Sequence, residues 1–372
     1  MLRIVDQGIL SLVEGRGAYM PWMTPLPDGT FIACQHVGQE LGSDDNHIVV
    51  LHSPDGQPWT EAGSIHAGGL PADGWAYRCP QISLVEAPTD SVPRLVMTCT
   101  RFETTDGNLF NPDSEALARP EMCLFWSEDG GSTWTPPQVV PVDLDPSRYT
   151  WNSAGQLLQL SPDRWLWPLE TWKPEGHEGP PDQRAWHIVS TDQGRTWGDL
   201  TVVADDPQGK ILYWDQMNCQ LADGRLYTMM WTHLYGTSED ITNHQVLSSD
   251  GGHTWSPPIP TNLRGQVCTP IPLADGRVAA IYNHRHEPQG VHVALSADLT
   301  HFDTQHEAVV FDAGTEATLG TTDHDNFLAE HMLIAFGKPG GRRLDDGTLL
   351  TWFWCTSGGI THTRWTRLEV ID

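Results

Sequence analysis

Apolar residues in this chain gather in short runs broken by Gly, Pro, Asp and Asn, and the runs recur in a fixed order. The recurring unit is an apolar run, an Asp-Gly turn and a second apolar run. It surrounds Asp28-Gly29, Asp223-Gly224, Asp275-Gly276 and Asp346-Gly347, and returns in looser form at Ser161-Pro162-Asp163 and from Glu86 to Pro93. Two apolar runs joined by such a turn predict a β-hairpin, so six units predict six hairpins. Their first strands are expected to begin near Pro21, Tyr77, Trp151, Tyr213, Val267 and Phe336. The 35 Gly and 28 Pro agree with a chain of many turns and short strands.

A second repeat follows the hairpins. Three segments match S-x-D-x-G-x-T-W in full: Ser127 to Trp134, Ser190 to Trp197 and Ser248 to Trp255. Two degenerate copies run through Ser53, Asp55 and Trp59, and through Ser296, Asp298 and Phe302. Successive first serines are 74, 63, 58 and 48 residues apart, a spacing that fits propeller blades with connections of unequal length. Asp and Ser can bond neighbouring backbone groups, Gly supplies positive φ, and Trp packs between blades. The repeat therefore reads as structural, and its aspartates are not counted as catalytic.

These segments resemble the Asp-box, or BNR, repeats of the sialidase superfamily. The resemblance implies an all-β fold, a six-bladed β-propeller with four-stranded antiparallel blades, covering residues 1–372 as a single domain. The sixth blade has no box, so Ile360 to Val370 is expected to be its third strand. The N-terminal run from Leu2 to Val13 is then expected to supply the outer strand and close the ring, removing exposed sheet edges.

Composition narrows the partners. With 21 Lys+Arg against 48 Asp+Glu the net charge is −27, and no basic stripe exists for a polyanion, so neither nucleic acid nor an anionic membrane surface is an expected partner. No apolar run approaches the roughly 18 residues of a spanning helix, and no secretory leader follows Met1, which points to a soluble, cytoplasmic protein. The seven Cys form no C-x-x-C pair and mostly lie in apolar runs, as buried free thiols of a reducing compartment would. Only Lys173, Lys210 and Lys338 are lysines. Nearly every cation is therefore a guanidinium, suited to carboxylate recognition.

In a propeller the ligand site lies at the end lined by inner-strand starts and by loops after second strands. Those positions hold Trp22, Tyr77, Arg78, Trp151, Asn152, Asp215, Gln216 and Lys338 at the starts. They hold Arg101, Glu103, Glu170, Trp172, His233, Tyr235, His284, Arg285 and His286 at the second-strand ends. Tyr77-Arg78-Cys79-Pro80 is similar to the sialidase Phe/Tyr-Arg-Ile-Pro motif, and the resemblance implies that Arg78 binds a substrate carboxylate. Arg101 and Arg285 would complete an arginine cluster; the competing reading pairs each with an acid such as Glu103 or Glu287. The resemblance also implies a nucleophilic tyrosine in the last inner strand, yet Phe336 to Gly347 contains none.

The chemistry then falls to a carboxylate pair or a histidine. Glu170 and Asp215, each beside tryptophans in adjacent blades, are the expected acid/base pair, with Glu103 as a third carboxylate. Apolar surroundings raise one carboxyl pKa and leave it as the general acid. The first expectation is thus an exo-acting glycoside hydrolase that releases a terminal acidic sugar. Tyr77, Trp151, Asn152, Trp172, Gln216, His233, Tyr235 and Lys338 would line its substrate site with the arginines. The alternative is a lyase on a uronic acid, with His284 or a tyrosine as base and Arg as electrophile; the third is a non-catalytic glycan-binding propeller. No third ligand accompanies His284 and His286 at a metal-binding spacing, so no metal or cofactor is expected. Long connections at 104–118, 173–183 and 303–332, the last containing Asp323-His324-Asp325-Asn326, would narrow the pocket.

Overall fold

The structure is a computed structural model that describes residues 1–65, 74–85, 92–104, 109–111, 116–153, 155–237, 241–314 and 334–371. Six antiparallel sheets form the blades of a β-propeller, and the described residues contain no α-helix. Blade 1 comprises Gly17–Pro25, Phe31–Gly38, His47–Ser53 and Thr60–Ile65; blade 2 comprises Trp75–Val85, Arg94–Glu103, Pro120–Ser127 and Gln138–Val140. In blade 3 the inner strand is broken into Thr150–Asn152 and Leu158–Ser161, both paired with Arg164–Trp172, and Arg184–Ser190 and Gly198–Asp205 follow. Blade 4 runs through Ile211–Gln220, Leu226–Leu234, His244–Ser248 and Ile259–Pro260, and blade 5 through Cys268–Pro272, Val278–His284, Gly290–Ser296 and Ala308–Asp312. Blade 6 takes Phe336–Arg343, Leu349–Ser357 and Ile360–Val370 from one end of the chain and Leu2–Ser11 from the other.

The N-terminal strand closes the last blade as expected, but closure does not abolish edges. Each blade keeps an outer strand, and Leu2–Ser11 leaves Ile4, Val5 and Ile9 exposed. The hairpin at 86–91 and the Asp323-His324-Asp325-Asn326 insertion lie outside the described residues.

Blade contacts are apolar with polar pins. Pro168, Trp167 and Leu169 and their equivalents make the second strands almost wholly buried, as a strand packed on both faces requires. Between inner strands, Thr24 donates to the Ile82 carbonyl at 2.7 Å and Thr269 to Pro339 O at 2.6 Å, and Gln216 Nε2 of the blade 4 inner strand donates to Leu169 O of the blade 3 second strand at 2.8 Å. All seven cysteines are buried, and none forms a disulfide.

The S-x-D-x-G-x-T-W segments join third to fourth strands and bond internally. Asp129 accepts from the Thr133 N–H and hydroxyl at 2.9 and 2.6 Å, and Ser127 Oγ accepts from the Gly131 N–H at 2.8 Å. The same three bonds recur around Asp192 and Asp250. Gly131, at φ +93°, has room for no side chain, since a Cβ there would lie 2.2 Å from Ile32 of blade 1. The segment thus seats each blade against the one before it.

Candidate active site

Four inner strands share one irregularity. The register with the second strand gains one extra residue between Tyr19 and Trp22, Arg78 and Gln81, Trp214 and Met217, and Gly337 and Gly340. At each of these bulges one non-glycine residue is left-handed: Met20, Cys79, Asp215 and Lys338, with φ between +44° and +53°. A bulge bends a strand and re-aims a side chain, and an αL residue other than Gly costs energy that its surroundings must offset. Blades 1, 2, 4 and 6 therefore each turn one residue out of the regular pleat.

One of these residues bonds the buried carboxyl of Glu170, and two more act on its electrostatic surroundings. The turn at Asp215 points its backbone N–H at Glu170 Oε2, 2.6 Å away, while Asn152, opposite Glu170 in blade 3, donates to Oε1 at 3.4 Å. Lys338 Nζ lies 3.0 Å from Asp215 Oδ1, and both side chains are buried, at 5% and 13% exposure. Lys338 also approaches Met217 Sδ at 3.7 Å. Burial pushes the Glu170 carboxyl up to about 8, the Asp215 charge pushes it the same way, and Lys338 opposes both. Burial and the neighbouring Asp215 charge thus both favour the protonated form of Glu170.

Blade 2 supplies the third member and a second cation. The Cys79 thiol, raised by burial, feels Arg78, Lys338, Asp215 and Glu170, and contacts Met20 Sδ at 3.1 Å. Arg78 is lowered by burial and stabilised by the Cys79 and Asp215 charges, and its Nε has no hydrogen-bond partner among the described residues. Arg78, Asn152, Glu170, Asp215 and Lys338 thus converge from four blades.

The remaining expected residues are placed elsewhere. Tyr77 is fully buried in the core with Phe125, 6.0 Å between ring centres, so it offers no surface to a ligand. Arg101 is held by Glu121 at 2.6 Å and stacks over Trp75, not by Glu103. Glu103 pairs with Arg119 in solvent. Trp172 and Trp214 stack in the interface of blades 3 and 4, and Tyr235 packs beside them. Gln216 Nε2 donates to the Leu169 and Trp186 carbonyls, while its buried Oε1 has no hydrogen-bond partner among the described residues. His233 is 1% exposed and bonds Thr237 O.

His284 bonds Pro288 O and stacks on His292, which pairs with Glu307; Tyr282 also donates to Glu307. That cluster, with His286 at its edge, belongs to blade 5 and is separate from the Glu170 contacts. Arg285 lies over Phe336 and binds Gln266 and Phe336 O. Of the expected arginine cluster, Arg78 feels the Asp215 charge, Arg101 is held by Glu121, and Arg285 is held by Gln266 and the Phe336 carbonyl. Trp151 lines a cavity between blades 2 and 3. No group of three or more His, Cys, Asp or Glu among the described residues is arranged to hold a metal.

Met20 and Cys79 escaped the sequence reading. A signal was present: Met20-Pro21, Cys79-Pro80 and Lys338-Pro339 put proline at one position of three inner strands, and proline inside a strand marks a bulge.

Fold and centre together define a six-bladed propeller with a buried, cation-flanked carboxylate pair. The BNR repeat-like domain matches residues 108–315, more than half of the chain, and the chain belongs to that family. A Dyadobacter fermentans DSM 18053 protein of unknown function is similar along 100% of this chain and 99% of its own, at 20% identity and a TM-score of 0.73. The Penicillium chrysogenum α-L-arabinanase complexed with arabinobiose covers 99% and 98% at 13% identity and a TM-score of 0.64. The Hadza microbial sialidase Hz136 covers 94% of this chain and 65% of its own, at 15% identity and a TM-score of 0.62. At such identities the likeness establishes the shared fold. No curated protein matches the chain.

Proposed function

We propose that this protein is a glycoside hydrolase that releases a terminal acidic sugar, with Glu170 as general acid and Asp215 as its carboxylate partner. The observation that carries the reading is the environment of Glu170: a buried carboxyl, pushed toward its protonated form, bonded to the backbone of a second acid that is itself ion-paired. Two carboxyls of unlike protonation flanking a glycosidic bond are the usual machinery for its cleavage. Glu170 gives its proton to the leaving oxygen as the bond to the anomeric carbon breaks. Asp215 faces the positive charge that develops on the sugar and takes a proton from the water that adds to the anomeric carbon, and exchange with solvent then returns a proton to Glu170 and frees Asp215. Lys338 keeps Asp215 in place, and Arg78, with an unbonded Nε, is suited to a sugar carboxylate.

The test is turnover of Glu170→Gln and Asp215→Asn on a panel of sialosides, uronosides and arabinosides. The reading expects a loss of about 10²-fold or more in each, in keeping with the weight of a positioned proton donor. Full turnover by both variants overturns it, and wild-type binding without product across the panel supports a non-catalytic propeller instead.

A further inference from the structure

Where blades 2 and 4 bulge their inner strands, blade 3 breaks its own between Asn152 and Leu158. Asn152 ends the first piece and stands opposite Glu170 in the register. The chain then leaves the pleat and is pinned to three blades. The Ser153 N–H donates to Thr100 Oγ1 of blade 2 at 3.1 Å, Ser153 Oγ donates to Pro168 O of blade 3 at 2.6 Å, and Gln156 Nε2 donates to Asn218 O of blade 4. Gly155 is buried within this crossing. Its φ is ordinary, so its conformation does not call for glycine, but a Cβ built on it would fall within 3.0 Å of both Gln216 O and the Pro168 ring, closer than real side chains come.

Those two contacts belong to the strands that carry the carboxyl pair. Gln216 shares the blade 4 bulge with Asp215, and Pro168 stands two residues before Glu170 on one strand, so both face the same side of blade 3. Gln216 Nε2 fastens the same bulge to Leu169 O, which clamps the two blades where the glycine lies. We propose that Gly155 is a positioning residue for Glu170 and Asp215: lacking a side chain, it lets the blade 4 bulge close on blade 3 until the Asp215 N–H reaches the Glu170 carboxyl. A methyl group there must displace Gln216 O, which is backbone and cannot swing aside. The Asp215 N–H lies in the same bulge, and its 2.6 Å contact with Glu170 Oε2, lengthened by about 1 Å, is no longer a hydrogen bond. Burial and the Asp215 charge raise the Glu170 carboxyl, and the Asp215 N–H lowers it by less. Parting the strands weakens the larger effects and admits water, so the carboxyl returns toward its ordinary value.

The experiment follows the Glu170 titration through stability, which keeps it independent of the hydrolase reading. Urea midpoints are measured from about pH 4 to 10, a span that brackets the ordinary and the raised carboxyl values. The folded pKa is the higher one, so the midpoint falls with rising pH until the folded value is passed and then levels off. Gly155→Ala should level off about 1 pH unit earlier than wild type, the size of shift that neighbours commonly impose. Gly265→Ala, whose Cβ would meet Asn283 O of blade 5 at 2.5 Å, should lose stability but level off where wild type does. In a Glu170→Gln background Gly155→Ala should no longer change the pH dependence. Should Gly155→Ala fail to fold, Gln156→Ala, which removes only the bond to Asn218 O, should move the levelling point the same way by about half a unit. The proposal is overturned if Gly155→Ala levels off with wild type, if Gly265→Ala moves the point equally, if the difference survives in the Glu170→Gln background, or if Gly155→Ala does not fold and Gln156→Ala matches wild type. Full turnover by Glu170→Gln together with an earlier levelling point in Gly155→Ala would remove the catalytic role and uphold the positioning one.

Discussion

Lys338 and Asp215 stand 123 residues apart in the chain and 3.0 Å apart in the fold, each held left-handed at a bulge in its own inner strand. The pair crosses from blade 6 to blade 4, and the Asp215 backbone reaches onward to Glu170 of blade 3. Polar groups from three blades thus share one buried patch. Breaking the pair leaves a charge without its partner in low dielectric.

Lys338→Met tests that coupling. Removing one partner of a buried ion pair should cost about 3–5 kcal/mol in urea unfolding. Lys338 is also what opposes the upward push on Glu170, so the alkaline limb of the activity profile should move to higher pH in whatever activity survives. A limb left where wild type has it would show that Lys338 does not reach Glu170 electrostatically.

Glu170 sets a pH dependence of both activity and stability. As the proton donor it should lose activity as pH rises through about 8. Its folded pKa lies above the unfolded one, so its stabilising contribution is complete below the ordinary carboxylate range and is lost as pH rises through the folded value. Urea midpoints of wild type should therefore fall from the ordinary carboxylate range up to about pH 8 and level off above it. Glu170→Gln should flatten that slope, and an unchanged slope would place the titration on another group.

Arg78→Gln separates binding from chemistry. Arg78 Nε has no hydrogen-bond partner among the described residues. On an acidic substrate the variant should raise KM by about 10- to 100-fold, as loss of a charged hydrogen bond does, with a smaller change in kcat. A neutral glycoside should lose little. Equal losses on both substrates would remove the carboxylate from the proposal.

The repeated S-x-D-x-G-x-T-W segments should behave as structure alone. Ser127→Ala leaves the buried Gly131 N–H unpaired and should cost about 1–3 kcal/mol in thermal or urea unfolding, with kcat unchanged at 25 °C. Asp129, lowered to about 2 by its bonds to the Thr133 side chain and backbone, contributes above its unfolded pKa and loses that contribution as pH falls through the folded one. Acid unfolding of Asp129→Asn should accordingly start from a lower stability and show a shallower slope. A kcat loss in Ser127→Ala would place this segment nearer the chemistry than its position between outer strands allows.

Much of this was written in local pattern. Asp-Gly turns at Asp28, Asp223, Asp275 and Asp346, and segments led by Ser127, Ser190 and Ser248, declare hairpins and blade boundaries because turn geometry and period-2 burial are satisfied within a few residues. Glu170 and Asp215 were legible for the same reason, as acids at strand positions that the repeat makes equivalent. What neighbours do to a side chain was not legible. Tyr77, adjacent to Arg78, alternates into the core; Arg101 finds Glu121 from the next strand; Trp172 and Gln216 serve the seam between blades. Only tertiary structure decided those, because blade packing sets which face of a strand meets solvent and which acid meets which base. It also decided the centre itself: four bulges, one extra residue each, turn Met20, Cys79, Asp215 and Lys338 off the pleat, and a contact across 123 residues is fixed by closure of the ring, not by any spacing along the chain.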